Sequence, residues 1–281
     1  MRRAPLVTIV ALALCALPAQ AQSLRGFDYA RPLRGEKALR AVIEFGAGKL
    51  LLEPGTSDRL YQLTLQYDAE RFEPIGDYDA GAGVVRLGVK GNGSGGIRVG
   101  RKNALPQTAA VELSRSVDLS LDISLGAAEA ALELGGLRLS ELELKSGASR
   151  ATVAFSQPTR GSCRSASVQS GAGEVTVLGL GNSGCADWSF DGGVGSVTVG
   201  LEGAWAADGR IRLNMALGGV TLRAPKDLGL RVTLHGFLAG FDAKGFSKSG
   251  KTYTSAGYAA AKRKVDVEVN SALGGVSVEW R

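Results

Sequence analysis

Apolar residues recur along this chain on two scales. Over short stretches they alternate with polar ones, and the alternating stretches themselves return about every 22 residues. FGAGKLLL (45–52), LGAAEAAL (125–132), SGASRATV (146–153), SGAGEVTV (170–177), GGVGSVTV (192–199), MALGGVTL (215–222), GFLAGFDA (236–243) and SALGGVSV (271–278) align. With the fourth residue of each copy as position zero, that column reads Gly48, Ala128, Ser149, Gly173, Gly195, Gly218, Ala239 and Gly274. From the second copy onward the spacings are 21, 24, 22, 23, 21 and 35. Positions −7, −5, +2 and +4 hold 32 residues, all apolar, such as Trp188, Phe190, Val197 and Val199 in one copy. Polar residues lie between them, for example Asp122, Glu143, Arg212 and Thr198.

A period of two predicts a pair of short strands in each copy, with one buried face. The small residues at −2 to zero fall between the pair, where a sharp bend needs positive φ or close backbone approach. One such unit cannot cover its own apolar face, so neighbours must stack. The fold expected is all-β: a single-stranded, right-handed β-solenoid-like stack of coils with an N-terminal β-hairpin module. An antiparallel β-sandwich of successive hairpins satisfies the same alternation. Cys163 and Cys185 both occupy position −10 of consecutive copies. Equivalent positions of adjacent coils lie ~4.8 Å apart, within reach of a disulfide, so these two cysteines are expected to pair.

The pattern divides the chain. Residues 1–21 read as a signal peptide: Arg2 and Arg3, an apolar stretch from Leu6 to Leu17, then Ala19-Gln20-Ala21 at the cleavage site. Cys15 as a lipoprotein anchor fits less well, because bulky Leu14 precedes it. Residues 22–37, with Arg25, Arg31, Arg34, Lys37, Gly26 and Pro32, read as a flexible basic arm. Residues 38–112 form an N-terminal β module, with strands near Leu60–Tyr67 and Val84–Val89 joined by a polar loop containing Pro74, Asp77 and Asp79. Residues 113–281 form the repeat stack, interrupted by a basic insertion at 242–264.

Composition narrows the chemistry. Forty glycines among 281 residues, 6% aromatics and one histidine argue against a helical bundle, a histidine metal cage and collagen. The net charge of +6 becomes +4 once Arg2 and Arg3 are removed, too small and dispersed to imply nucleic acid.

Residues 91–96 and 179–184 both fit G-x-G-x-x-G, yet neither opens a helix after a strand, so a phosphate would meet no helix terminus. His235 shares the −4 column with Glu44, Ser124, Lys145, Gln169, Asp191, Asn214 and Asn270, a polar column that reads as a solvated strand face. Asp187, Asp191, Glu174 and Glu202 are the carboxylates that a polysaccharide-cleaving solenoid would use. A G-G-x-G-x-D calcium repeat fails at Val197, and charged +1 residues such as Lys49 and Glu129 oppose a lipid-facing barrel. Thr152, Thr176, Thr198, Thr221 and Ser277 make an outward column at +3.

AVIEFGAGKLLLEPG (41–55), LYQLTLQY (60–67) and the stretch 117–153 resemble the bacterial toast-rack family of envelope domains (DUF2154-like). They are also similar to the putative-adhesin (DUF4097-like) and LiaF-like C-terminal β domains. The resemblance spans about residues 38–281 and rests on glycines and alternating apolar sites. It implies an all-β envelope protein, tied in some relatives to adhesion or envelope stress. This chain departs from the LiaF-like pattern in having no transmembrane segment beyond its leader.

The function expected is that of a non-enzymatic, exported cell-envelope protein, adhesin-like or a scaffold, that is periplasmic, outer-membrane-associated or secreted. A polysaccharide-acting enzyme is the alternative. No cofactor or metal is expected. The insertion supplies the expected contact residues, Lys244, Lys248, Lys251, Tyr253, Tyr258, Lys262, Arg263 and Lys264, suited to an anionic glycan, a lipid headgroup or a protein.

Overall fold

The computed structural model describes residues 24–93, 107–242 and 244–281, with the backbone alone at 237–239. The expected leader therefore lies outside the described residues. No helix among those described is long and apolar enough to cross a membrane.

Eight long strands form the body: β2 (Ala38–Pro54), β7 (Asp118–Glu133), β8 (Arg138–Ala154), β9 (Ser165–Leu178), β10 (Asp187–Gly200), β11 (Gly209–Ala224), β12 (Gly229–Phe241) and β15 (Lys264–Trp280). They stack in parallel, and the aligned columns pair in register: Trp188 faces Ile211, Gly195 faces Gly218 and Val197 faces Val220. Of the 32 inward sites, 29 are buried; Phe241 and Val278 are half-buried against the core, and Ala243 lies outside the described residues. The solenoid-like stack, not the antiparallel sandwich, is the architecture of the repeat.

The expected pair of strands per copy is instead one bent strand. Its two limbs share the same neighbours, so hydrogen bonding resumes just beyond the bend. Gly173, Gly195, Gly218 and Gly274 have φ between +141° and +152°. A Cβ on Gly218 would lie 1.8 Å from the carbonyl oxygen of Gly195 on the preceding coil, so this column needs glycine for both conformation and approach. Ser149 takes the bend without positive φ. Its hydroxyl accepts from the Ala128 amide at 3.3 Å and donates to the Gly126 carbonyl at 2.7 Å, bridging the coils where ladder pairing lapses.

The coils do not stack in chain order. The last strand, β15, sits between β11 and β12. β12 is thus seated one slot further out than its 21-residue spacing implied, and the 35-residue interval is the path by which the chain returns to fill the gap. Within that path β13 (Phe246–Ser249) and β14 (Thr252–Ser255) form a hairpin, and β14 pairs with Arg231–Thr233 on the outer edge of β12. The insertion is therefore a cap on the end of the stack, since a terminal coil must cover both its edge and the open core.

At the other end the two limbs of β2 acquire different partners. Arg40–Phe45 pair with β5 (Val84–Gly91), whose other neighbour is β4 (Phe72–Asp79). Lys49–Pro54 pair with β6 (Thr108–Leu113), followed by β3 (Arg59–Asp68) and β1 (Leu24–Pro32). The stretch expected as a polar loop through Pro74, Asp77 and Asp79 is strand β4. The expected flexible arm is likewise corrected, because β1 pairs with β3 along its length. Phe27 and Tyr29 alternate onto its inner face, and the Tyr29 ring stacks 5.5 Å from that of buried Tyr61.

Candidate functional site

The insertion carries the side chains expected to make contact, and the structure sorts them into two faces. Its aromatic face is turned inward. The Tyr253 ring lies 4.3 Å from that of Phe241, Phe246 packs edge-on to Phe241 at 5.3 Å, and Trp280 lies 5.4 Å from Phe246. These four rings close the end of the core. Tyr258 is also committed within the protein. Its hydroxyl donates to Asp266 at 2.9 Å, Asp266 is ion-paired to Arg231, and the Arg231 guanidinium sits 5.1 Å above the Tyr258 ring. Partial burial is the main force holding the Tyr258 phenol above its ordinary pKa, and the hydrogen bond to Asp266 adds to it.

The basic face is turned outward. Lys244, Lys248, Lys251, Lys262 and Arg263 are exposed, and Lys264 is half-buried. Among the described residues none of these six forms an ion pair: Lys248 and Lys264 reach only over the rings of Tyr253 and Tyr258, at 5.3 and 5.5 Å. Arg263 donates through Nε to the Trp205 carbonyl at 2.9 Å, and the Lys264 amide donates to Asp208 at 3.0 Å. Both contacts pin the root of the cap to the loop before β11. Of the eight expected residues, the tyrosines are structural, Arg263 and Lys264 are partly so, and Lys244, Lys248, Lys251 and Lys262 form the free basic surface.

The cations of the coils behave differently. Arg40–Asp122, Arg138–Asp118, Arg150–Glu174, Arg210–Asp187 and Arg223–Glu279 each bridge neighbouring coils at 2.6–3.3 Å. Two of those pairs engage carboxylates considered for catalysis, Asp187 with Arg210 and Glu174 with Arg150, and Asp191 accepts from the Asn214 amide at 2.7 Å. Asp187 and Asp191 lie on the first limb of β10, Glu174 on the second limb of β9 and Glu202 in the connection after β10, and no three of them cluster among the described residues. His235 contacts Glu268 at 3.6 Å, both half exposed.

Residues 179–184 form a turn between coils, with a single 3₁₀ turn at Leu180–Asn182. The other glycine-rich motif lies partly outside the described residues. The +3 column pairs in register from Thr152 to Ser277, with the Thr221 and Ser277 hydroxyls 3.3 Å apart.

Cys163 and Cys185 are disulfide-bonded, with Cα atoms 4.6 Å apart, as their shared column predicts. Sequence reasoning missed two surfaces. Val194, Leu217 and Leu273 stand side by side at the bends, about half exposed, and Leu51 lies open on the outer face of β2. The signal was available in the −1 and +3 columns, where large aliphatic residues fall outside the buried register.

Residues 20–178 match the family described as the N-terminal domain of toast-rack, DUF2154. The chain belongs to this toast-rack family. Two crystal structures are similar to it over nearly their whole length. One, described as a "putative cell adhesion protein" from Clostridium sporogenes, is 16% identical with a TM-score of 0.47, covering 92% of this chain and 100% of its own. The other, a "putative adhesin" from Bacteroides fragilis, is 12% identical with a TM-score of 0.42, covering 92% and 98%. No curated protein matches the toast-rack chain.

Proposed function

We propose that this toast-rack protein is a non-enzymatic, exported envelope module, adhesin-like or a scaffold, whose basic cap holds an anionic envelope component. The observation carrying this reading is the contrast in charge pairing. Five coil arginines, Arg40, Arg138, Arg150, Arg210 and Arg223, are bridged to acids on the next coil, whereas Lys244, Lys248, Lys251 and Lys262 project together from an ordered plug without an acidic partner among the described residues. Unpaired cations on an ordered support attract anions at little conformational cost. The Cys163–Cys185 bond supports an oxidising compartment, as does the signal-like leader.

Deleting 245–261 would remove Phe246 and Tyr253 and open the core, so the cap has to be tested in place. A photo-crosslinking residue at Lys248 should capture an anionic envelope component in cells, while the same residue at Thr176 on the coil face should not. Equal capture from both positions, or none from either, would remove the cap's role.

A further inference from the structure

A second surface at the opposite end of the stack has the chemistry of a small-ligand site. The outer faces of β3, β6, β2, β7 and β8 curve into a cleft of about 490 Å³, within the ~300–1,000 Å³ range of ligand pockets. The register places its side chains in two rows running across the strands. One row is polar: Gln66, Thr108, Lys49, Glu129 and Arg150. The other, two residues along each strand, is small or apolar: Thr64, Ala110, Leu51, Ala131 and Thr152. Leu51 is 41% exposed on the floor of this trough.

The charges are not equivalent. Arg150 is committed to Glu174 at 2.9 Å, outside the cleft. Lys49 approaches Glu129 only to 3.9 Å and keeps 73% of its side chain in solvent. It is the cleft cation most able to accept a new anion, and Glu129 lies on its far side from Thr108. Among the described residues the cleft has no aromatic platform for a sugar ring, and a peptide strand would find side chains here in place of a free sheet edge.

We propose that this cleft binds a single-chain fatty carboxylate, with its head on Lys49, Thr108 and Gln66 and its chain across Ala110, Leu51, Ala131 and the Thr152 methyl. The path crosses three strand spacings, about 14 Å, which suits a medium-length acyl chain. This site is independent of the basic cap. Charge complementarity at Lys49 and the continuous apolar row select an anionic head and one extended chain together.

Calorimetric titration of the mature chain with dodecanoate tests the assignment. One saturable site is expected, with no comparable binding of butyrate, which lacks the chain, or of dodecyltrimethylammonium, which reverses the head charge. Lys49→Glu should weaken dodecanoate binding about 10-fold or more, and Leu51→Asp should abolish it. Ala131→Glu is the second trough variant should Leu51→Asp fail to retain wild-type circular dichroism. Absence of saturable binding, or equal affinity in a folded trough variant, overturns the proposal. So does binding seen only with phosphatidylglycerol vesicles, which would make the surface a membrane contact. Loss of envelope association on reversing the cap lysines, with dodecanoate binding intact, would separate this site from the cap.

Discussion

The two ends of the stack meet the same demand by different means. At the N-terminal end each limb of β2 is extended by its own strands, and the gap between them is filled by core-type residues, with Tyr61 stacked on Tyr29 and tilted against Tyr78 at 5.7 Å. At the C-terminal end β15 is tucked between β11 and β12, and a short hairpin presses a few half-buried rings over the opening. The first end is a continuation of the fold. The second is a thin lid, ordered by aromatics on its inner side and left with its lysines on the outer. A minimal cap has most of its surface to spare, and four of its lysines stand there without an acidic partner among the described residues.

Substitutions that probe each end should rank accordingly. Tyr61→Ala should be the most damaging, costing about 3–5 kcal/mol in urea unfolding, the scale of a fully buried aromatic. Removing the Cys163–Cys185 bond, which closes a 22-residue loop, should cost about 3 kcal/mol by the same assay. Phe246→Ala should cost less, about 1–2 kcal/mol, because the ring is only half-buried, and hydrogen exchange should rise in β12–β14 while β2 and β3 stay protected. Comparable losses at Tyr61 and Phe246 would erase the distinction between the ends.

The smallest effect concerns pH. Burial first, then the hydrogen bond with Tyr29, raise the Tyr61 phenol above its ordinary range, so the folded state favours the protonated form. That stability is complete below the unfolded pKa of ~10 and declines as pH rises beyond it. Tyr61→Phe should flatten the alkaline decline; an unchanged pH profile would show that Tyr61 does not control it.

Much of this architecture was legible in the sequence, for reasons tied to particular residues. The columns through Trp188, Ile211 and Val197 were visible because burial in a strand has period two, and Cys163 and Cys185 because stacked coils bring equivalent positions together. Strand order was not legible. β12 and β15 carry the same apolar pattern, so each fits either slot, and only the return path decides between them.

β1 escaped notice because its two inward rings, Phe27 and Tyr29, are outnumbered by arginines and turn formers. The basic surroundings of Tyr253 and Tyr258 point to recognition, whereas both rings are committed within the protein. In a chain with 6% aromatics, the nearness of Tyr253 in sequence to Phe241 and Phe246 is the available sign of a plug.

The central claim is that the lysines of the cap make the contact and the charges of the coils do not. Sedimentation with isolated envelope fractions tests it directly, comparing Lys244→Glu/Lys248→Glu/Lys251→Glu/Lys262→Glu with the coil variant Arg210→Glu/Arg223→Glu at several salt concentrations. The account predicts that the cap variant loses association and its salt dependence, while the coil variant keeps both with an unchanged circular dichroism spectrum. Retained association in the folded cap variant, or equal loss in both, would contradict it.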